Sequence, residues 1–573
     1  MHSGWKISAI AVGALLAAGL ATLAGCKSED APVAADSGPM IPRTALGGYL
    51  ASRHAQQEHD YADATAFIDR SLAADPDNDG LIRRAFALRL SEGRVDEAAP
   101  LARRIVARDG QGGLAALTVL EQSIKSGDFT VAAKQAASVP RDGAQRYAVP
   151  LLLAWADAGR GQNVQASKDL TLMGETRGLG PLKDLHDTLI ADVTGQTAKA
   201  EAGYRKLVAA ETPPTMRVAE LAGNFYERNH RTAAARAVYE SVVPIDDSDV
   251  ARAGLARLDQ GIVPPPAIAS PADGAAEAFF DLAALLNQPE TLDAGIVYAR
   301  LALDLKPDFA LTQLLLGEIR EQQDQNEDAL EIYAAIAPGS PFAVSGRLRT
   351  ALVLDAMGRT DEAERRLEAM AAALPDRPQA LVELGDILRA HSNFAEAAAA
   401  YDRAVQRLPH PAARDWRIFY SRGVAYERAG QWPRAEADLK HALELQPEQP
   451  LVLNYLGYTW IDKGVNIDDA VKMIRRAVEL RPNDGYIVDS LGWAYYRLGD
   501  FRHATEVLER AIELLPEDPT INDHLGDVYW RNGRLAEARY QWRRALQFKP
   551  EAEEIKSIES KLDRGLAGQP EKS

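Results

Sequence analysis

The only cysteine in the 573-residue sequence, Cys26, is the residue whose type and position best suit covalent chemistry. It directly follows a Leu-Ala-Gly triplet and an apolar run over residues 7–20. That run has the length of a signal-peptide core and is short for a bilayer span. A thiol can carry acyl chains, and each acyl methylene that enters a membrane contributes about 0.8 kcal/mol to binding. The sequence therefore predicts a leader over residues 1–25 and lipid attachment at Cys26.

The Leu-Ala-Gly-Cys motif resembles the bacterial lipobox. This resemblance implies that Cys26 becomes the acylated amino terminus, and that Lys27, in place of an aspartate, directs the protein to the outer membrane on its periplasmic side. Residues 26–44 are small, polar and proline-containing, which favours a flexible tether. An incidental cysteine behind a secretory leader and a transmembrane anchor are the alternatives.

Side chains that could support catalysis or bind a metal do not form a recognisable motif. The ten histidines are scattered, and His54 and His59 are five positions apart, which does not place them on one helical face. The sequence contains no His-Glu-x-x-His, no paired-cysteine spacing, no Gly-x-Ser-x-Gly and no Walker-type loop. A net charge of −17 disfavours nucleic-acid binding. We therefore expect a protein that is not an enzyme and has no cofactor or metal.

A repeat organises the carboxy-terminal half. Gly423, Gly457, Gly492 and Gly526 are separated by 34, 35 and 34 residues. Each is followed by Tyr or Trp after three residues, by Ala near twelve and nineteen, and by Pro near twenty-four. The apolar spacing between these markers predicts two helices joined by a turn. A period of 34 residues with this frame resembles the tetratricopeptide repeat, and it implies an all-α, right-handed superhelix of helix–turn–helix repeats.

Eight such repeats are predicted over residues 274–552, followed by a C-terminal helix and tail over residues 553–573. Six degenerate repeats with the same spacing are predicted over residues 45–245. A chance match of alanine-rich helices to the frame stays open for residues 114–213. Between the two halves, residues 246–273 contain three consecutive prolines, which favour an extended linker.

The repeat frame also predicts a binding surface. With the aligned Gly or Ala counted as position 8, positions 2, 5, 9 and 12 of each first helix face the groove. Aromatic side chains, which make up only 7% of the chain, are concentrated on this face in the last three repeats. Trp493 and Trp530 are the predicted anchors, at roughly 2 kcal/mol or more each; packing of several of these side chains between helices is the alternative. The predicted groove residues are Asn454, Tyr458, Tyr486, Asp489, Trp493, Tyr496, Asp523, Asp527 and Trp530.

Three runs carry a closer resemblance: Leu-Asn-Tyr-Leu-Gly-Tyr at 453–458, Leu-Gly-Trp-Ala-Tyr-Tyr at 491–496 and Asp-His-Leu-Gly-Asp-Val-Tyr-Trp at 523–530. Together with the lipobox, they resemble tetratricopeptide-repeat lipoproteins of proteobacterial envelopes. Among these, the chain is similar to adaptor lipoproteins of periplasmic carboxyl-terminal processing proteases. The resemblance implies a periplasmic protease and cell-envelope enzymes, such as cell-wall hydrolases, as partners.

These features together predict an outer-membrane, lipid-anchored scaffold that faces the periplasm and binds protein partners. Its mechanism would be the high effective concentration of two partners held on one chain. An assembly or pilotin-like factor for an outer-membrane secretion, pilus or exopolysaccharide machine is the alternative. Self-association into an envelope scaffold is a third interpretation.

Overall fold

A computed structural model describes residues 44–58, 60–109, 113–141, 143–174, 178–243 and 249–566. The predicted leader, the attachment residue Cys26 and nearly all of the predicted tether lie outside the described residues. In the described part of the chain every regular element is a helix, so the predicted all-α solenoid is confirmed.

The helices are α1 Ala45–Gln57, α2 Tyr61–Ala74, α3 Asp79–Glu92, α4 Val95–Asp109, α5 Gly113–Lys125, α6 Phe129–Ser138, α7 Gln145–Gly159, α8 Asn163–Asp169, α9 Thr171–Gly174, α10 Gly180–Val193, α11 Thr197–Ala210, α12 Met216–Arg228, α13 Thr232–Val242, α14 Asp249–Gln260, α15 Pro271–Leu285, α16 Leu292–Leu305, α17 Ala310–Gln322, α18 Asn326–Ala334, α19 Ala343–Ala356, α20 Thr360–Ala373, α21 Gln379–Ala390, α22 Phe394–Gln406, α23 Trp416–Arg428, α24 Trp432–Leu445, α25 Pro450–Lys463, α26 Ile467–Leu480, α27 Gly485–Arg497, α28 Phe501–Leu514, α29 Pro519–Arg531, α30 Leu535–Gln547 and α31 Ala552–Arg564. A short 3-10 helix, Ala413–Asp415, precedes α23.

Local sequence signals set the helix ends, as the pair α27–α28 shows. The side chain of Asp484 accepts a hydrogen bond from the Ile487 amide at the start of α27. Gly499 then adopts a φ of 77°, which a residue without a β-carbon tolerates, and turns the chain. Asp500 accepts a hydrogen bond from the His503 amide and begins α28. The ends of this helix pair are therefore specified by residues within it or directly before it.

The two helices of a pair approach closely at the repeat glycine. A β-carbon on Gly492 would lie 2.5 Å from Cγ of Leu508 in the partner helix. The first helices of successive pairs contact each other: α25 contacts α27, and α27 contacts α29. The second helix of a pair contacts the first helix of the next pair, as α26 contacts α27. The first helices therefore line the inner, concave face of the array.

The chain forms two arrays and a hairpin between them. We call α1–α14 the N-terminal array, α15–α16 the inserted hairpin and α17–α30 the C-terminal array. The inserted hairpin, which the repeat frame assigns to the first of the eight repeats, packs against α3, α5, α7 and α10. One continuous core runs from Ala55 to Ile319, so the hairpin shares the core of the N-terminal array.

The predicted linker over residues 246–273 contains the helix α14, and its proline segment is fixed in place. The side-chain amide of Asn224 donates to the Pro265 carbonyl at 2.8 Å, and the Ala267 amide donates to Asn224 Oδ1 at 3.1 Å. Ser270 then caps α15 in a reciprocal capping box with Asp273. The segment after α14 is therefore packed against the N-terminal array. Residues 244–248, where the predicted repeats end and the linker begins, lie outside the described residues.

Candidate functional site

The inner face of the N-terminal array is occupied by the inserted hairpin. Trp155 of α7 donates from Nε1 to His186 Nδ1 of α10 at 3.0 Å. Because Nδ1 accepts, the proton of the neutral ring is on Nε2, which donates to Asp281 Oδ2 of α15 at 3.0 Å. Gly274 of α15 lies directly against the Trp155 ring, and a β-carbon there would collide with it. This chain of contacts ties α15 to two array helices.

Charged groups hold the rest of the hairpin. Glu277 of α15 is fully buried and accepts two hydrogen bonds from Arg217 of α12, one of them at 2.8 Å from Nε. Asp304 of α16 accepts from Lys125 Nζ at 2.9 Å and from Gln122 Nε2 at 3.1 Å, both on α5. The array therefore supplies a donor for each of these hairpin carboxylates. Its inner face is closed to other occupants at these positions.

A second carboxyl group is buried at the same contact. Glu121 of α5 has no exposed surface and lies beside Asp304. Burial, and then the charge of Asp304, raise the pKa of Glu121 well above its usual range. The Glu121 carboxyl therefore holds its proton where an exposed glutamate has lost it.

The inner face of the C-terminal array contains the predicted aromatic residues. Tyr486 is 60% exposed, and Tyr458, Trp493 and Tyr496 are half-buried. The Trp493 ring stacks on Tyr496 with centroids 4.7 Å apart and on His524 of α29 at 4.0 Å. The structure therefore brings three rings from α27 and α29 into one stack.

His524, which the repeat frame did not single out, anchors this stack. Its Nδ1 lies 3.0 Å from both carboxylate oxygens of Asp489. Burial opposes a charge on the imidazole, but Asp489 outweighs it and the pKa of His524 is raised. Burial, followed by the charge of Asp489, raises the pKa of Tyr458 to about 12. One sequence signal does point to His524: it lies 35 residues after Asp489, one repeat later.

Three of the predicted groove residues are buried and need correction. The Asp489 carboxylate is paired with the His524 imidazole. Asp527 accepts hydrogen bonds from Trp542 Nε1 at 2.9 Å and from Lys561 Nζ at 2.9 Å. Trp530 is 6% exposed and packs on Trp542, 5.3 Å away between ring centroids. Asp527 and Trp530 belong to the last repeat, which α31 covers, so these positions face a helix of the same chain. Asp489, in the repeat before, is instead covered by His524 of α29.

The two remaining predicted groove residues are Asp523 of α29 and Asn454 of α25. Asp523 is half-buried, and its Oδ2 accepts from Lys561 at 2.7 Å. Asn454 is half-buried, and its Oδ1 has no hydrogen-bond partner in the described structure. Neither side chain reaches the aromatic stack through a hydrogen bond.

The first part of the same inner face has a polar character that the sequence reasoning missed. Arg349 of α19 donates to Glu321 of α17 at 2.7 Å, whereas Glu318 and Glu383 form no ion pair or hydrogen bond among the described residues. Burial, and then the charge of Asp386, raise the pKa of Glu383 to about 7. The sequence shows where Glu318 and Glu383 fall in the repeat. Whether each of them has an ion-pair partner depends on side chains of neighbouring helices, and nothing in the sequence indicates it.

The described residues can be searched for a metal-binding cluster and for a membrane-spanning helix. They contain no group of three or more His, Cys, Asp and Glu side chains that could hold a metal ion. None of their helices is both long enough and apolar enough to span a bilayer. What the inner face offers is aromatic surface, hydrogen-bonding groups and carboxylates, which is chemistry suited to binding.

Comparisons with known proteins point to the same repeat. Residues 337–562 match the family model described as the C-terminal domain of cilia and flagella-associated protein 70, a TPR domain. A TPR repeat-containing protein of Pseudomonas aeruginosa is 31% identical over 190 residues, which cover 33% of this chain and 31% of that protein. BBSome complex member BBS4 of Bos taurus is 32% identical over 93 residues, which cover 16% of this chain and 18% of that protein. The chain thus spans a third or less of the length of these relatives.

Among solved structures, a chain of the APC/C hetero-tetramer Cut9–Hcn1 is 15% identical, with 91% of this chain and 96% of that chain covered at a TM-score of 0.39. The family match over residues 337–562 coincides with helix pairs α19–α30 and the final helix α31. The sequence period, the stacked helix pairs and the match over residues 337–562 agree on tetratricopeptide-like repeats in this part of the chain.

Proposed function

We propose that this protein is an outer-membrane lipoprotein, facing the periplasm, that binds protein partners along the inner face of its C-terminal array. The observation that carries the proposal is that no inserted element covers this face among the described residues. From α19 to α27, the first helices pack mainly against neighbouring helices of their own array. The equivalent face of the N-terminal array is filled by the inserted hairpin. Partner binding is therefore assigned to the C-terminal array.

The aromatic residues on this face supply the binding energy. Tyr486 is exposed, and Tyr458, Trp493 and Tyr496 present half-buried rings. Large, rigid aromatic side chains dominate interface energetics, typically at about 2 kcal/mol or more for each anchor. The stack of Trp493 on His524 fixes its ring before binding, which reduces the entropy cost of association.

The proposed anchor is the lipid on Cys26, and residues 26–44 are the proposed tether. The eighteen residues before Thr44 reach at most about 60 Å when fully extended. The arrays would therefore work within a shell near the membrane, where partners held on one chain meet at high effective concentration. The resemblance to protease adaptors supports the specific proposal that a periplasmic protease and its cell-wall hydrolase clients are those partners.

The test is affinity capture of the full-length acylated protein from a native envelope extract, compared with Tyr486→Ala and Trp493→Ala variants. Tyr540→Ala is the matched control, because Tyr540 is 59% exposed on α30, a second helix of its pair. We expect the unmodified protein and the control to capture a protease and envelope hydrolases. With Tyr486→Ala or Trp493→Ala, the captured amount of at least one of these partners should fall at least tenfold.

Recovery of a secretion, pilus or exopolysaccharide component instead of a protease would contradict the adaptor proposal. Equal recovery by all variants would contradict the assignment to the C-terminal array. The anchor is tested separately by membrane fractionation of a Cys26→Ala variant, which we expect in the soluble periplasmic fraction.

A further inference from the structure

The concave end of the C-terminal array is covered by α31, which contacts every predicted groove position of the last repeat. Lys561 Nζ donates to Asp523 Oδ2 at 2.7 Å and to Asp527 Oδ2 at 2.9 Å. Thr520 donates to Glu554 Oε1 at 3.4 Å. Positions 2, 5 and 9 of α29 are thus engaged by polar groups of α31.

Position 12 is engaged by apolar contact. The Gly565 backbone lies against the Trp530 ring so closely that a β-carbon there would collide with it. Ile558 is 1% exposed, and Leu562 and Leu566 pack in the same cluster as Trp530. The helix that fits this surface therefore has apolar residues four positions apart and a lysine three positions after the first of them.

The fit between α31 and the array is incomplete. Three buried polar atoms on neighbouring first helices have no hydrogen-bond partner in the described structure: Trp493 Nε1, Asp523 Oδ1 and Trp530 Nε1. Buried polar groups are satisfied in the large majority of cases, and a group left unpaired is destabilising. The surface beneath and beside α31 thus contains hydrogen-bonding capacity that α31 leaves unused.

We propose that α31 is an intramolecular occupant of a partner site, and that the partner is an amphipathic helix of the same pattern that displaces it. This inference rests on the proposed function and names the class of partner at the same site. A displacing helix must bring a cation, because without Lys561 the carboxylates of Asp523 and Asp527 would face each other uncompensated. The free surface further along, at Trp493 and Tyr486, would then be contacted by the remainder of the partner.

Because α31 is covalently attached to the array, it competes with any free helix for the same surface. A helix joined by a short connection, residues 548–551, has a high effective concentration at its site, so a free helix of equal intrinsic affinity binds weakly. Weakening the covalently attached helix should therefore strengthen binding of a free one. This relation separates a displaceable helix from a permanent cap.

The experiment uses a synthetic peptide of residues 552–566 and the full-length protein. In the Lys561→Glu variant, the attached helix carries a negative charge against Asp523 and Asp527, whereas the free peptide keeps its lysine. We expect the peptide to bind this variant at least tenfold more tightly than the unmodified protein. Lys556→Glu is the matched control, because Lys556 is exposed on the same helix, and it should bind the peptide like the unmodified protein.

Hydrogen–deuterium exchange of the unmodified protein gives an independent readout in case Lys561→Glu perturbs folding. Excess peptide should raise the exchange rate of the α31 amides at least tenfold and leave α27–α30 unchanged. Absence of peptide binding to Lys561→Glu together with unchanged α31 exchange would overturn the proposal and make α31 a permanent cap. Envelope capture can fail while the peptide still binds, so the two proposals fail separately.

Discussion

In the N-terminal array the inner face is filled by α15–α16, whereas in the C-terminal array the inner face from α19 to α27 is bordered by its own neighbouring helices. Both arrays are built from the same helix pair. The difference comes from the inserted hairpin, whose buried Glu277 and half-buried Asp281 and Asp304 meet donors on α12, α10 and α5. One repeat unit thus yields a closed array with a shared core and an open array with a binding face.

The closed array also positions the open one. Arg377, in the loop before α21, pairs with Asp249 at the start of α14. Arg414 donates to the Val243 carbonyl at 2.5 Å. These two contacts between the arrays are polar, whereas α17 joins the core of the N-terminal array through Leu316 and Ile319, as the hairpin does. We expect variants of the hairpin contact to have larger effects on stability than variants of the groove.

The largest expected effect is that of Glu277→Ala. Removing this carboxylate leaves the Arg217 guanidinium buried without its main partner, which should lower the free energy of unfolding by about 3–5 kcal/mol. Urea unfolding followed by circular dichroism measures the loss. Glu290→Ala, an exposed site on the connection within the same hairpin, should stay within about 0.5 kcal/mol of the unmodified protein.

A smaller loss is expected from Gly274→Ala, because the new methyl group would collide with the Trp155 ring. Overpacking of this kind typically costs about 1–3 kcal/mol, even though alanine favours a helix more than glycine does. Thermal unfolding with tryptophan fluorescence as the probe tests it. Gly339→Ala, in the C-terminal array with open space around it, is the control, and equal losses at both sites would contradict a tightly filled inner face.

A pH effect on stability is expected from the closed inner face of the N-terminal array. The pKa of Glu121 is raised in the folded protein, so the folded state keeps a proton that the unfolded state releases. Stability from this group should therefore fall as pH rises above the ordinary range for glutamate, about 4.3, toward the raised value.

Glu121→Gln should match the unmodified protein in acid and become progressively more stable than it toward neutral pH, as measured by urea unfolding at a series of pH values. Glu290→Gln is the control and should follow the unmodified protein throughout. Parallel curves for Glu121→Gln and the unmodified protein would show that the Glu121 carboxyl is not buried against Asp304.

The smallest effect on stability is expected from Tyr486→Ala on the open face. Since the ring is 60% exposed, the free energy of unfolding should change by no more than about 0.5 kcal/mol. Partner binding should nevertheless weaken by about 2 kcal/mol, roughly thirtyfold. Isothermal calorimetry with a captured partner measures this, and a stability loss above 2 kcal/mol would place Tyr486 in the core instead.

The repeated part of the fold could be predicted from the sequence because its determinants are local. The glycine frame places Gly492 against Leu508 within one hairpin, and the turn glycine Gly499 and the capping Asp500 lie between the two helices. The small residue at the helix contact recurs with the period, whereas turn glycines and capping side chains occur in only some of the repeats. The exposed Tyr486 follows from the same frame.

The closed inner face could not be predicted, because its contacts join residues far apart in the chain. Lys125 meets Asp304 across 179 positions, and Arg217 meets Glu277 across 60. In sequence, Glu277 is an ordinary charged residue of a helix. The prediction that Trp530 lies exposed in the groove is wrong for a related reason. The repeat frame assigns Trp530 to the inner face correctly, but it contains no information on α31, which covers that part of the face.

Hydrogen–deuterium exchange of the full-length protein over a urea series tests the central claim most directly. The hairpin α15–α16 should exchange as slowly as α7, and both should lose protection at the same urea concentration, because they share one core. The C-terminal array beyond α17 should lose protection independently of them, because the buried residues of that core end at Ile319 in α17. Exchange of α15–α16 at least tenfold faster than α7, with α7 still protected, would show that the inner face of the N-terminal array is open and would contradict the account.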